Sequence, residues 1–116
     1  MDARRDNSEK FSLVDGLSVP AFAIDTQHRV VAWNRACESL TGVPAAQVFG
    51  TRDHWRGFYP APRPCLADLV LDDLISEASN YYARHGNAQF DTHAHRAEGW
   101  FDLVGGDRRY LVFEAR

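Results

Sequence analysis

The chain has 116 residues, of which 45% are hydrophobic and 25% charged, the proportions of one ordinary globular domain and too few for a multidomain enzyme. Thirteen Lys and Arg stand against sixteen Asp and Glu, a net charge of -3, and the basic residues are scattered, so the stripe of a nucleic-acid footprint is missing. Two cysteines, Cys37 and Cys65, without a CxxC pair, exclude a disulfide framework and the common zinc-ribbon and thioredoxin-type patterns, and point to a reducing, cytoplasmic setting. No apolar run approaches the roughly 18 residues of a membrane span, and the first ten residues mix both charge signs, unlike a signal peptide.

Residues 1–17 read as a charged tail followed by a flanking helix, in which Ser8 is the cap and Phe11, Leu13, Val14 and Leu17 form the apolar side. The domain proper is expected over 18–116. Two short apolar runs, Ala21 to Asp25 and Arg29 to Trp33, flank the polar Thr26-Gln27-His28 and predict a hairpin. Asn34 is placed to cap a helix carrying Ala36, Cys37 and Leu40, with Gly42 as its stop; the capping box is incomplete because Cys37 holds its third position. Pro44 to Gly50 predicts a single further turn. Residues 51–64 contain three prolines but also Trp55, Phe58 and Tyr59, an irregular wall carrying core-sized side chains.

The longest helix is expected from Pro64 to about His85, ended by Gly86, with Ala67, Val70, Leu71, Leu74, Ala78 and Tyr82 inward and Asp68, Asp72, Ser76 and Asn80 outward. Residues 87–98 are ambiguous. Trp100 to Val104 and Arg109 to Ala115 flank Gly105-Gly106-Asp107 and predict a second hairpin.

This order is an α+β plan with helices on one face of an antiparallel sheet. The runs Val19-Pro-Ala-Phe-Ala-Ile-Asp25 and Val30-Val-Ala-Trp-Asn-Arg-Ala-Cys-Glu-Ser-Leu-Thr-Gly42 resemble the first two strands and first helix of a PAS domain. Gly50-Thr-Arg-Asp-His-Trp-Arg-Gly-Phe-Tyr59 and Arg63-Pro-Cys-Leu-Ala-Asp-Leu69 are similar to a bacterial sensory-box subgroup found in diguanylate cyclases, chemotaxis receptors and sensor histidine kinases. The resemblance implies a five-stranded antiparallel sheet enclosing a small cavity, in a domain that senses a small molecule, redox state or light, or dimerises. It makes Asp25 the turn carboxylate and Asn34 the helix-capping amide. By the same resemblance, one central strand after Tyr110 to Arg116 is missing, and buried backbone groups would need other partners. A piece of a longer chain, residues 88–95 as an extra strand, or a second copy pairing across the gap would each answer this. The homodimer is favoured.

Trp55, Phe58, Tyr59, Arg63 and Cys65 lie on the segment that the resemblance sets beside the cavity and are the candidate ligand-binding residues, since sparse polar groups among aromatics can orient a ligand, and Arg63 favours an anionic one. Cys65 at a helix start could be a reactive thiolate, but no base accompanies it, and it reads first, like Cys37, as a buried structural thiol. Asp91, His93 and His95 would share one face of a strand and could ligate zinc, nickel or iron, but read first as a solvated edge, and no metal is assigned. Asp72 and Asp73 read as a solvated helix face. Haem held through His54 or His85 is the rival sensor chemistry, without a haem motif to support it. No cofactor is named. No phosphate loop or catalytic triad is present, so no enzyme is expected. The expectation is a cytoplasmic sensory or regulatory domain of a bacterial signalling protein, without nucleic-acid or membrane insertion, that binds a small molecule, forms a homodimer, or serves as a ligand-free interaction module with a filled core. Its partners would be a second copy, an anionic or aromatic ligand, and a cyclase, kinase or receptor-type output domain.

Overall fold

The computed structural model describes residues 18–88 and 91–116, with backbone only at 87, 88 and 91–93. The expected flanking helix with Phe11, Leu13, Val14 and Leu17 lies outside these residues. Strands β1 (Phe22–Ile24) and β2 (Val30–Trp33) form the first antiparallel hairpin, with Phe22 opposite Trp33 and Ala23 opposite Ala32. Asp25 makes the turn: its carboxylate accepts from the backbone N–H of Gln27 at 2.8 Å and of Arg29 at 3.0 Å. His28 completes it in the left-handed region at φ 64, which a non-glycine residue occupies only at some conformational cost.

Helix α1 (Arg35–Thr41) begins at Asn34. The buried amide of Asn34 accepts from Cys37 N–H at 2.8 Å and Ala21 N–H at 3.0 Å, and donates to the Val19 carbonyl at 2.7 Å. One side chain thus caps the helix and ties it to the segment entering β1. The capping box is indeed absent here, and Glu38 reaches forward instead, accepting from Ala45 N–H at 2.7 Å at the start of helix α2 (Ala45–Val48).

The wall expected over 51–64 opens with a 3₁₀ turn at His54–Gly57. Gly57 fits there because any Cβ would meet Thr41 Cγ2 at 2.9 Å and Trp33 Cη2 at 3.0 Å. This close approach holds the wall against the first hairpin and α1.

The long helix is corrected. Helix α3 covers only Leu66–Leu71, a 3₁₀ segment follows at Ile75–Asn80, and Arg84–Ala88 is strand β3. The stop is Asp73, in the left-handed region at φ 57. Leu74 N–H bonds the Leu69 carbonyl at 2.8 Å and Asp73 N–H bonds that of Val70 at 3.2 Å, the paired bonds that close a helix when its next residue turns left-handed. The inward face shifts accordingly. Leu66 and Leu69 are buried, whereas Leu71 and Leu74 are exposed, and Asp68, expected outside, is inside. Gly86, expected as the helix stop, sits within β3 opposite Arg96.

Strand β4 (Asp91–Val104) pairs antiparallel with β3 on one side and with β5 (Asp107–Ala115) on the other. This settles most of the ambiguous 87–98 stretch as strand. Gly105 and Gly106 form the turn of the second hairpin, and a Cβ on Gly105 would collide with the Leu40 carbonyl, so the turn docks on the end of α1.

Among the described residues there are thus five strands, and the expectation of a missing strand is corrected: β3, drawn from the end of the expected helix, supplies the count. They form two sheets, β1-β2 and β3-β4-β5, and among the described residues no ladder joins β1 to β5. The α+β plan with an antiparallel sheet and helices on one face stands. One core cluster gathers Val30, Trp33, Cys37 and Val48, and the other Leu66, Leu69, Ala78, Tyr82 and Ala97. Aromatic rings bridge them, with Phe58 and Tyr59 at 6.3 and 5.4 Å from Phe101. On the opposite face of β4-β5, Trp100, Tyr110 and Val112 are exposed.

Candidate functional site

Two polar groups interrupt this aromatic interior, both built on the wall and the start of α3. The first is centred on Arg63, whose guanidinium carbon lies 3.8 Å from the Tyr59 ring centroid, 5.1 Å from that of Tyr82 and 5.2 Å from that of Tyr81. A guanidinium stays charged at any ordinary pH, and the faces of aromatic rings attract it. The phenol oxygens of Tyr59 and Tyr82 share a hydrogen bond at 2.9 Å. Burial pushes both phenols' pKa values up, so both are neutral donors. Arg63 Nε donates to the Pro64 carbonyl at 3.2 Å, while Nη2 is buried without a hydrogen-bond partner among the described residues.

The second group surrounds Asp68. His28 Nδ1 donates to its Oδ1 at 2.6 Å, His54 Nε2 lies 2.8 Å from Oδ2, and Cys65 N–H donates to Oδ2 at 2.8 Å. The other nitrogen of His28 reaches Asp72 at 2.8 Å. Burial alone would raise the Asp68 carboxyl pKa, but the bonds from His54, His28 and the Cys65 N–H outweigh it and hold the group below its ordinary value. The hydrogen bond to Asp68 raises the pKa of His28, with Asp72 adding to it against the opposing effect of burial. Both His28 nitrogens face carboxylate oxygens, an arrangement that favours the imidazolium, the form able to donate from both. His54, 3% exposed, turns its Nε2 to Asp68, and its Nδ1 is buried without a partner among the described residues.

Cys65 stands between the two groups. Burial and the Asp68 charge push its thiol pKa up, and burial likewise lifts Cys37 to about 12. Both are buried, as a core thiol would be, and at Cys65 the cost of burying a charge exceeds what a helix start returns.

Of the five candidate ligand residues, Tyr59 and Arg63 meet in the cage and Cys65 adjoins it. Phe58 packs into the aromatic core, 6.0 Å from Phe22 and 6.2 Å from Trp33. Trp55 is half-buried with no ring contact among the described residues. Tyr81 and Tyr82 were missed as cage members because they were assigned to a helix that is not there. Asp68, Asp72 and His28 were missed because sequence separations of 40 and 44 residues hide their pairing.

A haem iron at His54 would have to displace Asp68, and His85 lies instead on β3, in an open recess of about 470 Å3 that it lines with Arg84, Arg96 and Glu98. Asp91, His93 and His95 fall on β4, but the side chains of Asp91 and His93 lie outside the described residues. Among the described residues no helix is long and apolar enough to cross a membrane. No curated protein and no solved structure matches the chain. A family model, that of the PAS fold, does match, over residues 8–52, a segment that takes in β1, β2, α1 and α2 and supports a domain of PAS type.

Proposed function

We propose that the chain is a sensory or regulatory signalling module that takes a small anionic ligand at Arg63 and has no chemistry of its own. The observation that carries this reading is the Arg63 guanidinium, held among Tyr59, Tyr81 and Tyr82 with Nη2 buried and lacking an acceptor among the described residues. A buried donor without a partner costs roughly 1 to 3 kcal/mol, and more when charged. A carboxylate oxygen arriving at Nη2 would recover that cost, and the tyrosine rings would orient its carbon skeleton. Ligand binding acts by favouring one of two arrangements of the module, which a cytoplasmic bacterial cyclase, kinase or receptor output domain then reads. A thermal-shift screen of organic acids, with native mass spectrometry of the purified protein, tests it. At least one acid should raise the melting temperature of the wild type and leave Arg63→Gln unmoved; a flat response to every acid, with no retained mass, overturns it.

A second reading is favoured by the ring chain that fills the interior and by Trp100, Tyr110 and Val112, exposed on one face of β4-β5 with the Trp100 and Tyr110 rings 5.3 Å apart. Here the module is ligand-free and associates through that face with a second copy. Light scattering should then give twice the chain mass for the wild type and the single mass for Trp100→Glu; a monomer at high concentration removes this reading.

A further inference from the structure

His54, Cys65 and Asp68 each bring one potential ligand atom to a common point, all within 4.8 Å of one another, with His54 and Cys65 buried. Their positions are set by separate local devices. His54 opens the 3₁₀ turn that Gly57 presses onto Trp33, whereas Cys65 and Asp68 are the cap and third residue of α3. We propose that these three residues form a binding site for a zinc-class divalent transition-metal ion, independent of the Arg63 cage and of any ligand there.

The donor set is a thiol sulfur, an imidazole nitrogen and a carboxylate oxygen, the mixture that tetrahedral zinc accepts and that magnesium or calcium does not select. Ligand atoms on one tetrahedral zinc stand roughly 3.3 to 3.6 Å apart. The 2.8 Å between His54 Nε2 and Asp68 Oδ2 therefore has to widen by about half an ångström. The fourth position of a tetrahedral ion would fall to water or another ligand atom.

Ligation would need the His54 proton on Nδ1, so that the Nε2 lone pair faces the ion. Cys65 must give up its thiol proton to solvent as the metal–sulfur bond forms. Charges then balance: the two positive charges of the ion meet the negative charges of the Cys65 sulfur and the Asp68 carboxylate. His28, on the other oxygen of Asp68 at 2.6 Å, is a positioning residue that fixes the carboxylate's orientation. The Phe22 ring, 5.6 Å from that of His54, covers the site on its apolar side.

The test uses the full chain stripped with a chelator and titrated with Zn2+ by calorimetry and with Co2+ by absorption. Expected are one ion per chain, a sulfur-to-cobalt charge-transfer band with intense tetrahedral bands in the visible, and release of about one proton, read from the dependence of the heat on buffer. Cys65→Ser should abolish the charge-transfer band, His54→Ala should weaken zinc binding at least tenfold, and His28→Gln should weaken it by about tenfold. A paired His93→Ala, His95→Ala variant should bind as the wild type does. Cobalt binding without the sulfur band in the wild-type chain overturns the proposal whatever the variants do. So does full zinc affinity in folded His54→Ala, or loss of binding in the His93, His95 variant.

Discussion

The Arg63 guanidinium lies over the Tyr59 ring at 3.8 Å, and the same Tyr59 hydroxyl is tied to Tyr82 at 2.9 Å. A cation is thereby stored in the aromatic interior at the junction of the wall, the 3₁₀ segment and β3. Replacing Arg63 by Met removes a cation–π interaction of about 1 to 2 kcal/mol but also removes the unpartnered Nη2. The two effects oppose one another, so urea unfolding of the unliganded variant should fall within about 1 kcal/mol of wild type. A loss well beyond that would mean that Nη2 has an acceptor in solution.

Gly57 is a tighter test of the wall. With Thr41 and Trp33 at 3.0 Å or less from any added Cβ, Gly57→Ala should destabilise by roughly 1 to 3 kcal/mol, as overpacking does. The drop should show in the denaturation midpoint with an unchanged slope.

His28 links the first hairpin to α3 through two carboxylates, giving the metal-free chain a definite pH profile. Its pKa is raised in the folded state, so its contribution is complete below about 6.5, the unfolded value, and is lost as pH rises through the folded value. Asp68 acts in the opposite sense. Its pKa is lowered, so its contribution is present above about 4, the unfolded value, and disappears as pH falls through the folded value. Chelator-treated wild type should therefore be most stable in mildly acidic solution. His28→Asn, which tolerates the left-handed backbone, should lose about 2 kcal/mol there and progressively less as pH rises through the folded His28 value, measured by thermal denaturation across pH.

Asp73 holds a left-handed backbone at φ 57 that glycine adopts without strain. Asp73→Gly should stabilise the chain by about 0.5 to 1 kcal/mol. Denaturant titration would show it; destabilisation would imply that the Asp73 carboxylate makes a contact of its own.

Legibility in the sequence followed the range of the interaction. The hairpin at Thr26 to His28, the Asn34 cap and the Gly105-Gly106 turn could be read because each is settled within a few residues by one side chain or a missing Cβ. The end of α3 could not, since Asp72-Asp73 lacks the glycine or proline that marks a stop, and the apolar spacing ran on past it. Once that helix was drawn too long, Arg84–Ala88 was lost as a strand and Tyr81 and Tyr82 as neighbours of Arg63. The wall residues Tyr59, Arg63 and Cys65 stand out by their mix of aromatic and polar groups together with the resemblance, which sets their segment beside the cavity. Their grouping with His54, and that of Asp68 with His28, depends on how α3 meets the first hairpin, which no local pattern encodes.

Among the described residues the two sheets meet without a shared ladder, through the rings of Phe58, Tyr59 and Phe101 and the seat of Gly105 on α1. Backbone ladders lock register in discrete steps, whereas packed rings can slip by fractions of an ångström without breaking a bond. The seam is thus more compliant than either ladder. Arg63 rests on Tyr59, one of the seam rings, so an anion taken at Arg63, as proposed, would bear directly on how the two halves pack.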